Sequence, residues 1–202
     1  MKILAGTMMT SLLEVRLLKR REHLGAFADL SELRRRAAEL PYVPHIDWSD
    51  FGRGSNAVRC LMLAAALTAG DSGAPLPENT GIIGWNGSGC TAENQRFWQD
   101  YIQNGRENGR GGLFVATLPT IPFCEAAIAL GCRGPSAYLR TDNSTVSLFR
   151  LLTSRPKGIY LAGEITGENT VCMLLTESDG ILPDLPDFPD LAGLFLHLEG
   201  NT

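Results

Sequence analysis

The sequence predicts an α/β protein whose largely parallel sheet is covered by helices on both faces. Short apolar runs alternate with helix-like segments along the chain, and the segment 56–69 is apolar on nearly every side. Alternating strands and helices form parallel sheets, and a helix that is apolar all round must be buried all round. The chain has 202 residues, of which 44% are apolar, so it can form one substantial core.

The first third of the chain predicts one strand followed by helices. Residues 2–6 form a short apolar run typical of a buried strand. Leucines and alanines then recur at roughly helical spacing over 11–40 and stop at Pro41, which predicts a helical insertion after the first strand. After a loop, the apolar helix 56–69 ends at Gly70.

The middle of the chain continues the alternation with a second buried strand at 81–85. A helix across Glu93 to Gln103 follows, for which Ser88 or Thr91 could provide the cap. A polar, glycine-rich loop then leads to residues 113–117, which we interpret as a short extended segment.

The remaining elements complete a five-stranded mixed sheet. A helix at 123–130 precedes a third strand at 136–140, and a helix at 144–152 precedes a fourth at 158–162. The fifth strand, 170–175, is close enough to the fourth to form an antiparallel pair through a hairpin-like turn. We therefore predict three parallel core strands and a final antiparallel pair.

The C-terminal segment has a different composition, so we divide the chain into a domain at 1–178 and a Pro/Asp-rich extended tail at 179–202. Proline recurs there every third residue, which favours polyproline II and aligns Leu182, Leu185 and Phe188 along one edge. Such a segment is expected to lie on an apolar surface. Residues 191–198 could add a last strand or a short helix.

Composition and charge exclude several classes of function. The longest apolar run, 61–67, is far shorter than the roughly 20 residues that span a bilayer, and the N-terminus lacks a signal-peptide pattern. We therefore expect a cytoplasmic protein without a membrane span. The basic residues between Arg16 and Arg36 alternate with glutamates, which is typical of a solvated helix face and argues against nucleic-acid binding.

Cysteine and histidine patterns predict neither a metal site nor a cofactor. The cysteines are odd in number and form no CxxC pair, and the three histidines lie apart from one another and from the cysteines. In a reducing compartment such cysteines are small apolar core residues. They are Cys60, Cys90, Cys124, Cys132 and Cys172.

Four segments in this order resemble the N-terminal half of β-ketoacyl synthases, the condensing enzymes of the thiolase fold. They are the arginine- and alanine-bearing helix from Asn56, the strand and glycine turn at 81–89, the segment 117–135 with its Gly131-x-x-Gly134-Pro135 turn, and the strand 136–141. The resemblance covers about residues 45–178. It implies a thiolase-like half, with strand 136–141 leading into the elbow that carries the nucleophile.

The sequence departs from that family at the elbow. Active ketosynthases carry a cysteine at the start of the central helix, where the helix dipole activates it as acyl acceptor. Asn143 stands at that position here, and an amide cannot hold an acyl thioester. Asn143 could line a degenerate acyl tunnel or contact a partner's active site, or it could cap the helix together with Asp142 or Ser144.

The resemblance also implies two catalytic histidines in a C-terminal half that this chain lacks, and we interpret His197 near the terminus as a coincidental match. It therefore implies a non-catalytic subunit that pairs with an active ketosynthase, as a chain length factor does, in fatty-acid or type II polyketide biosynthesis. The partner would be that enzyme or a second copy, and acyl carrier protein is the acidic partner that the basic face could attract. Alternatives are a small acyltransferase or hydrolase using a cysteine or serine on the same scaffold, and a stand-alone interaction module.

Overall fold

A computed structural model describes residues 1–87, 90–105, 110–176 and 185–201. It contains seven strands in one mixed sheet, with helices on both faces. The strands are β1 (Lys2–Thr10), β2 (Glu14–Leu17), β3 (Glu22–Ala26), β4 (Gly81–Trp85), β5 (Ser136–Leu139), β6 (Ile159–Ile165) and β7 (Asn169–Thr176). The helices are α1 (Leu30–Glu39), α2 (Asn56–Ser72), α3 (Thr91–Asn104), α4 (Gly111–Ala116), α5 (Ile121–Leu130), α6 (Thr145–Thr153) and α7 (Leu191–Asn201).

The sheet confirms the predicted α/β class, but the prediction of a largely parallel sheet was wrong, since only β4–β5 and β4–β6 are parallel among the six strand pairs of the described residues. Its order is β3-β2-β1-β7-β6-β4-β5. Strands β5, β4 and β6 are parallel, whereas β6 and β7 form the predicted antiparallel pair. All five predicted strands are present, and β2 and β3 add two more beyond β1.

The region 11–40 is therefore not a helical insertion throughout. Its helix is limited to α1, because Val15 and Leu17 point into the core while the residues beside them do not, which is the two-residue period of a strand. Asp29 caps α1 by accepting hydrogen bonds from the backbone N–H groups of Ser31 and Glu32.

A further prediction about local structure was wrong. Residues 113–117 are not extended, since helix α4 covers most of them. Of the two alternatives offered for residues 191–198, the helix is the correct one: α7 spans Leu191–Asn201, and its Leu191, Leu194 and Phe195 are buried. The predicted domain boundary after residue 178, and Leu182, lie outside the described residues.

Helices pack on both faces of the sheet. Helix α2 lies between the sheet and α1 and α5, which explains why it is apolar on every side: fourteen of its residues are buried. Its N-cap is Ser55, and it ends at Gly73 in the left-handed conformation that a glycine C-cap adopts readily. Helices α6 and α7 cover the opposite face over Ile83, Trp85 and Met173.

In the part of the chain that is described, no helix combines the length and apolar character needed to cross a bilayer.

Candidate functional site

The predicted elbow lies at the carboxyl end of β5, where the chain turns into α6. Several hydrogen bonds join it to the end of β4, among them the following three. The Trp85 Nε1–H donates to Thr141 Oγ1 over 2.9 Å, and the Thr141 N–H donates to Asn86 Oδ1 over 2.9 Å. The Asn86 N–H donates to the Leu139 carbonyl. Since Trp85 and Asn86 are buried, the elbow is held by the core of the molecule.

The turn after β4 needs glycine at position 87. Gly87 has φ +63°, and a Cβ there would lie 2.3 Å from the carbonyl oxygen of Ile165. Only a residue without a side chain can approach β6 so closely. The glycine turn predicted after 81–85 therefore has a packing reason, although Ser88 and Gly89 lie outside the described residues.

Asn143 is exposed and lies one residue before the helix cap. Its Oδ1 accepts a 3.4 Å hydrogen bond from Asn86 Nδ2. Ser144 is the N-cap of α6, and its Oγ accepts from the Ser147 N–H. Of the residues that we considered for the cap, Ser144 has this role, and the prediction that Asn143 stands in a degenerate nucleophile position stays a prediction.

A carboxylate from the C-terminal segment occupies the N-terminus of α6. Asp187 Oδ1 accepts a hydrogen bond from the Val146 N–H over 3.1 Å, and the Ser144 hydroxyl donates to Asp187 Oδ2 over 2.8 Å. The Thr145 hydroxyl also donates to Asp187. These donors, led by the Val146 N–H, hold the pKa of Asp187 below its ordinary value.

Residues 185–190 lie across the elbow, and we call them the strap. Contacts on both sides of Asp187 hold the strap in place. The backbone of Phe188 and Thr145 is paired through the Thr145 N–H and the Phe188 carbonyl, 3.0 Å apart. Leu185 and Phe188 pack against the apolar cluster below α6 and α7, as the period of three predicted for these two residues. The His197 ring lies 5.1 Å from that of Phe188.

Sequence reasoning missed a buried carboxylate beside the elbow. Glu164, at the end of β6, is 4% exposed, and its Oε2 accepts a 2.7 Å hydrogen bond from the Leu191 N–H at the start of α7. Burial raises its pKa to about 7, although hydrogen bonds from the Leu191 and Gly87 N–H groups oppose this. The predicted strand ended at residue 162, so Glu164 was assigned to the turn that follows, and no local signal pointed to its burial.

Four of the five cysteines do not have the chemistry of an activated nucleophile. Burial raises the pKa of Cys60 and Cys90 to about 11 and that of Cys172 to about 12, and it also raises the pKa of Cys132. A nucleophilic cysteine needs the opposite shift. Within the described ranges, no three His, Cys, Asp or Glu side chains are grouped so that they could hold a metal ion.

Comparison with solved structures shows that the chain shares its fold, a mixed sheet with an elbow between a parallel strand and a helix, with thiolase-like ketosynthases and chain length factors. The chain is similar to the ketosynthase (ApeO) in complex with its chain length factor (ApeC) from Xenorhabdus doucetiae, with a TM-score of 0.57 and 14% identity. That match covers 87% of each chain, so the two chains are of similar length.

A second similar structure is the ishigamide ketosynthase/chain length factor, with a TM-score of 0.58 and 10% identity. There the match covers 89% of this chain and 62% of the other. At these identities the likeness concerns the fold. No protein-family model matches the sequence, and no curated protein is significantly similar to it.

Proposed function

We propose that this chain is a non-catalytic ketosynthase-like subunit that pairs with an active β-ketoacyl synthase in fatty-acid or type II polyketide biosynthesis. In that role it would shape the acyl pocket or set the chain length of the partner's product. The two similar structures are ketosynthase and chain length factor assemblies, and their fold supports the proposal. The residues of the elbow supply the argument for a non-catalytic role.

The occupied N-terminus of α6 is the observation that carries the proposal. A condensing enzyme needs a thiolate there to accept the acyl group. This chain offers an amide at Asn143, and three backbone donors at the start of the helix already have acceptors. The Val146 N–H donates to Asp187, the Thr145 N–H to the Phe188 carbonyl and the Ser147 N–H to Ser144 Oγ. An acyl group would find no thiolate at Asn143, and these three donors are not available to stabilise its oxyanion.

A serine-dependent transferase is not favoured by the same contacts. The Ser144 hydroxyl donates to Asp187, whose pKa is lowered, and a carboxylate with a low pKa is a weak base towards a hydroxyl. The Ser144 oxygen also caps α6. Both roles are typical of a structural serine.

A surface formed by α3 and α4 supports pairing with another protein. Helix α3 has fourteen residues, none of them buried, yet it carries Phe97, Trp98, Tyr101 and Ile102. Trp98 is 57% exposed and Ile102 75%, and Phe114 of α4 packs edge-on against Phe97. An amphipathic helix is expected to bury its apolar face, and exposed apolar patches mark protein interfaces. We name this surface the aromatic patch.

Basic side chains beside α1 support the second proposed partner, an acyl carrier protein. The Arg20 guanidinium lies 3.8 Å from the centre of the Tyr42 ring, and Arg36 acts electrostatically on the same phenol. Arg21 and Arg35 nearby in the chain are exposed. Such a cluster would attract an acidic protein, with a dependence on salt.

Native mass spectrometry of the chain, expressed together with the ketosynthase of its own gene neighbourhood, tests the proposal. We expect a 1:1 complex that Trp98→Asp weakens and that Leu12→Asp, at a similarly exposed leucine outside the aromatic patch, leaves intact. Incubation with acyl carrier thioesters should leave the mass of this chain unchanged. Two results would overturn the proposal: a monomer that unfolds cooperatively and does not bind the ketosynthase, or a stoichiometric acyl adduct on this chain.

A further inference from the structure

A cleft of about 550 Å³ opens at the same end of the sheet as the elbow, displaced towards β1. It lies between the end of β1 and the β6–β7 turn, and helices α1, α2 and α3 all begin at its rim. Ile165 forms part of its wall and also lines a small pocket beneath Asn86. Clefts outside the carboxyl ends of strands are common ligand sites in α/β proteins, and this volume is within the range of small-molecule pockets.

The walls of the cleft are suited to an apolar body. Met9, Leu13, Leu30 and Ile165 line it together with the thiol of Cys60. Met9 is almost fully buried and belongs to the main core cluster, against which Leu13 and Leu30 pack. These walls are therefore backed by the core and are present before any ligand binds.

Arg59 provides an incompletely used group of donors in the cleft. Its Nη2 donates to Asn56 Oδ1 over 2.5 Å, whereas its Nε is buried and has no hydrogen-bond acceptor. No carboxylate of the described residues lies within ion-pair distance of it. A buried donor without an acceptor is unfavourable, so a change of the Arg59 rotamer that pairs the guanidinium with an acceptor in the cleft would be stabilising.

The other charges in the cleft decide which acceptor fits. Asp29, Glu93 and Glu168 also line it, so three carboxylates face one guanidinium. The Asp29 carboxylate is engaged in capping α1. An anionic head group would meet net repulsion. A cationic head group would be attracted by the carboxylates but would leave the Arg59 donors without an acceptor. A neutral carbonyl accepts without adding charge, and its bond to an arginine is charge-assisted.

We propose that this cleft binds neutral amphipathic carbonyl compounds, with the carbonyl oxygen on the Arg59 guanidinium and the alkyl part on Met9, Leu13 and Leu30. The inference uses only residues of this chain. It does not depend on the pairing with a ketosynthase proposed above.

Three probes with the same eight-carbon chain test the assignment: octanamide, octanoate and octylamine. In ¹H–¹⁵N spectra of the full chain, octanamide should shift the Arg59 side-chain Nε–H resonance and bind more tightly than the other two. Arg59→Gln should weaken octanamide binding roughly tenfold or more. Arg53→Gln is the matched control, since Arg53 is 86% exposed and pairs with Asp50 outside the cleft.

A second measurement does not depend on the variant's folding. Because Cys60 lines the cleft, octanamide should slow its alkylation by iodoacetamide in the unmodified protein, as followed on the Cys60 peptide by mass spectrometry. Four results would each overturn the proposal. The first two are binding of octanoate or octylamine as tight as that of octanamide, and an unmoved Arg59 resonance. The other two are unchanged affinity in a folded Arg59→Gln protein, and alkylation of Cys60 at an unchanged rate.

Discussion

Glu164 gives the most quantitative prediction, because its ionisation is coupled to folding. The folded-state pKa is about 7, compared with an ordinary value of 4.5. Each pKa unit corresponds to about 1.4 kcal/mol, so the neutral carboxyl contributes about 3 kcal/mol of stability relative to the ionised form. Since the folded pKa is raised, this contribution is fully present below pH 4.5 and is lost as the pH rises through 7.

Glu164→Gln removes this titration and keeps a neutral side chain of the same size. Its effect on the free energy of unfolding should therefore depend on pH. Relative to the original protein, the variant should gain about 3 kcal/mol between pH 4.5 and pH 8. The gain arises because the original protein must ionise a buried carboxyl beside Asp190 in that range.

Urea unfolding at four or five pH values between 4.5 and 8 measures this difference. Any change in the hydrogen bond to the Leu191 N–H shifts the difference in unfolding free energy equally at every pH. Only the change of this difference with pH therefore tests the ionisation of Glu164. Glu168→Gln, at an exposed glutamate on the β6–β7 turn, is the control and should follow the original protein. A Glu164→Gln difference constant to within roughly 0.5 kcal/mol across this range would refute the argument.

The remaining predictions concern α6 and the strap. Phe149 is 3% exposed in the cluster under α6, so Phe149→Ala should lower the free energy of unfolding in urea by about 3–5 kcal/mol. Leu151→Ala, at a half-buried position, should lower it by about 1 kcal/mol. Asp187→Asn removes the charge that the N-terminus of α6 stabilises, so limited proteolysis at neutral pH should cut the strap faster in the variant, and equal cutting rates would contradict the contact. In the original protein the strap should stay protected until the pH falls through the lowered pKa of Asp187, which lies below its ordinary value of 3.8. Asn143→Cys alone should not give condensation activity in an assay that follows radiolabelled malonyl carbon into a β-ketoacyl product, and turnover by that isolated variant would contradict the proposed non-catalytic role.

The core strands could be predicted because each is a short apolar run bounded by glycine or a turn, and the helix 56–69 because its apolar residues leave no polar face. Strands β2 and β3 could not. They are only four and five residues long, and the leucines around them imitate helical spacing. Helix α4 was missed because it begins with two glycines, which disfavour a helix on local grounds.

Long-range contacts set a second limit on prediction from sequence. The period of three in the tail indicated an apolar surface beneath Leu185 and Phe188. Nothing local, however, related Asp187 to Val146, forty-one residues earlier in the chain. The helix 56–69 was predicted to be buried on every side, but its apolar pattern did not indicate that α1 and α5 would cover it. The exposed apolar residues of α3 and α4 form the aromatic patch.

The place of β1 in the sheet has a consequence for how the chain reaches its folded state. Although β1 precedes the other described elements in the chain, it lies inside the sheet: it pairs with β2 on one edge and with β7 on the other. The second edge therefore stays open until residues 169–176 have been made, and Ala5, Met8 and Met9 have no complete core to enter before then. Pairings between distant segments slow folding, and an open apolar strand edge is a site for association with other chains. During synthesis the hairpin of β1 and β2 is therefore exposed for a long interval. In that interval, rapid completion of the chain or a chaperone must keep it from aggregating.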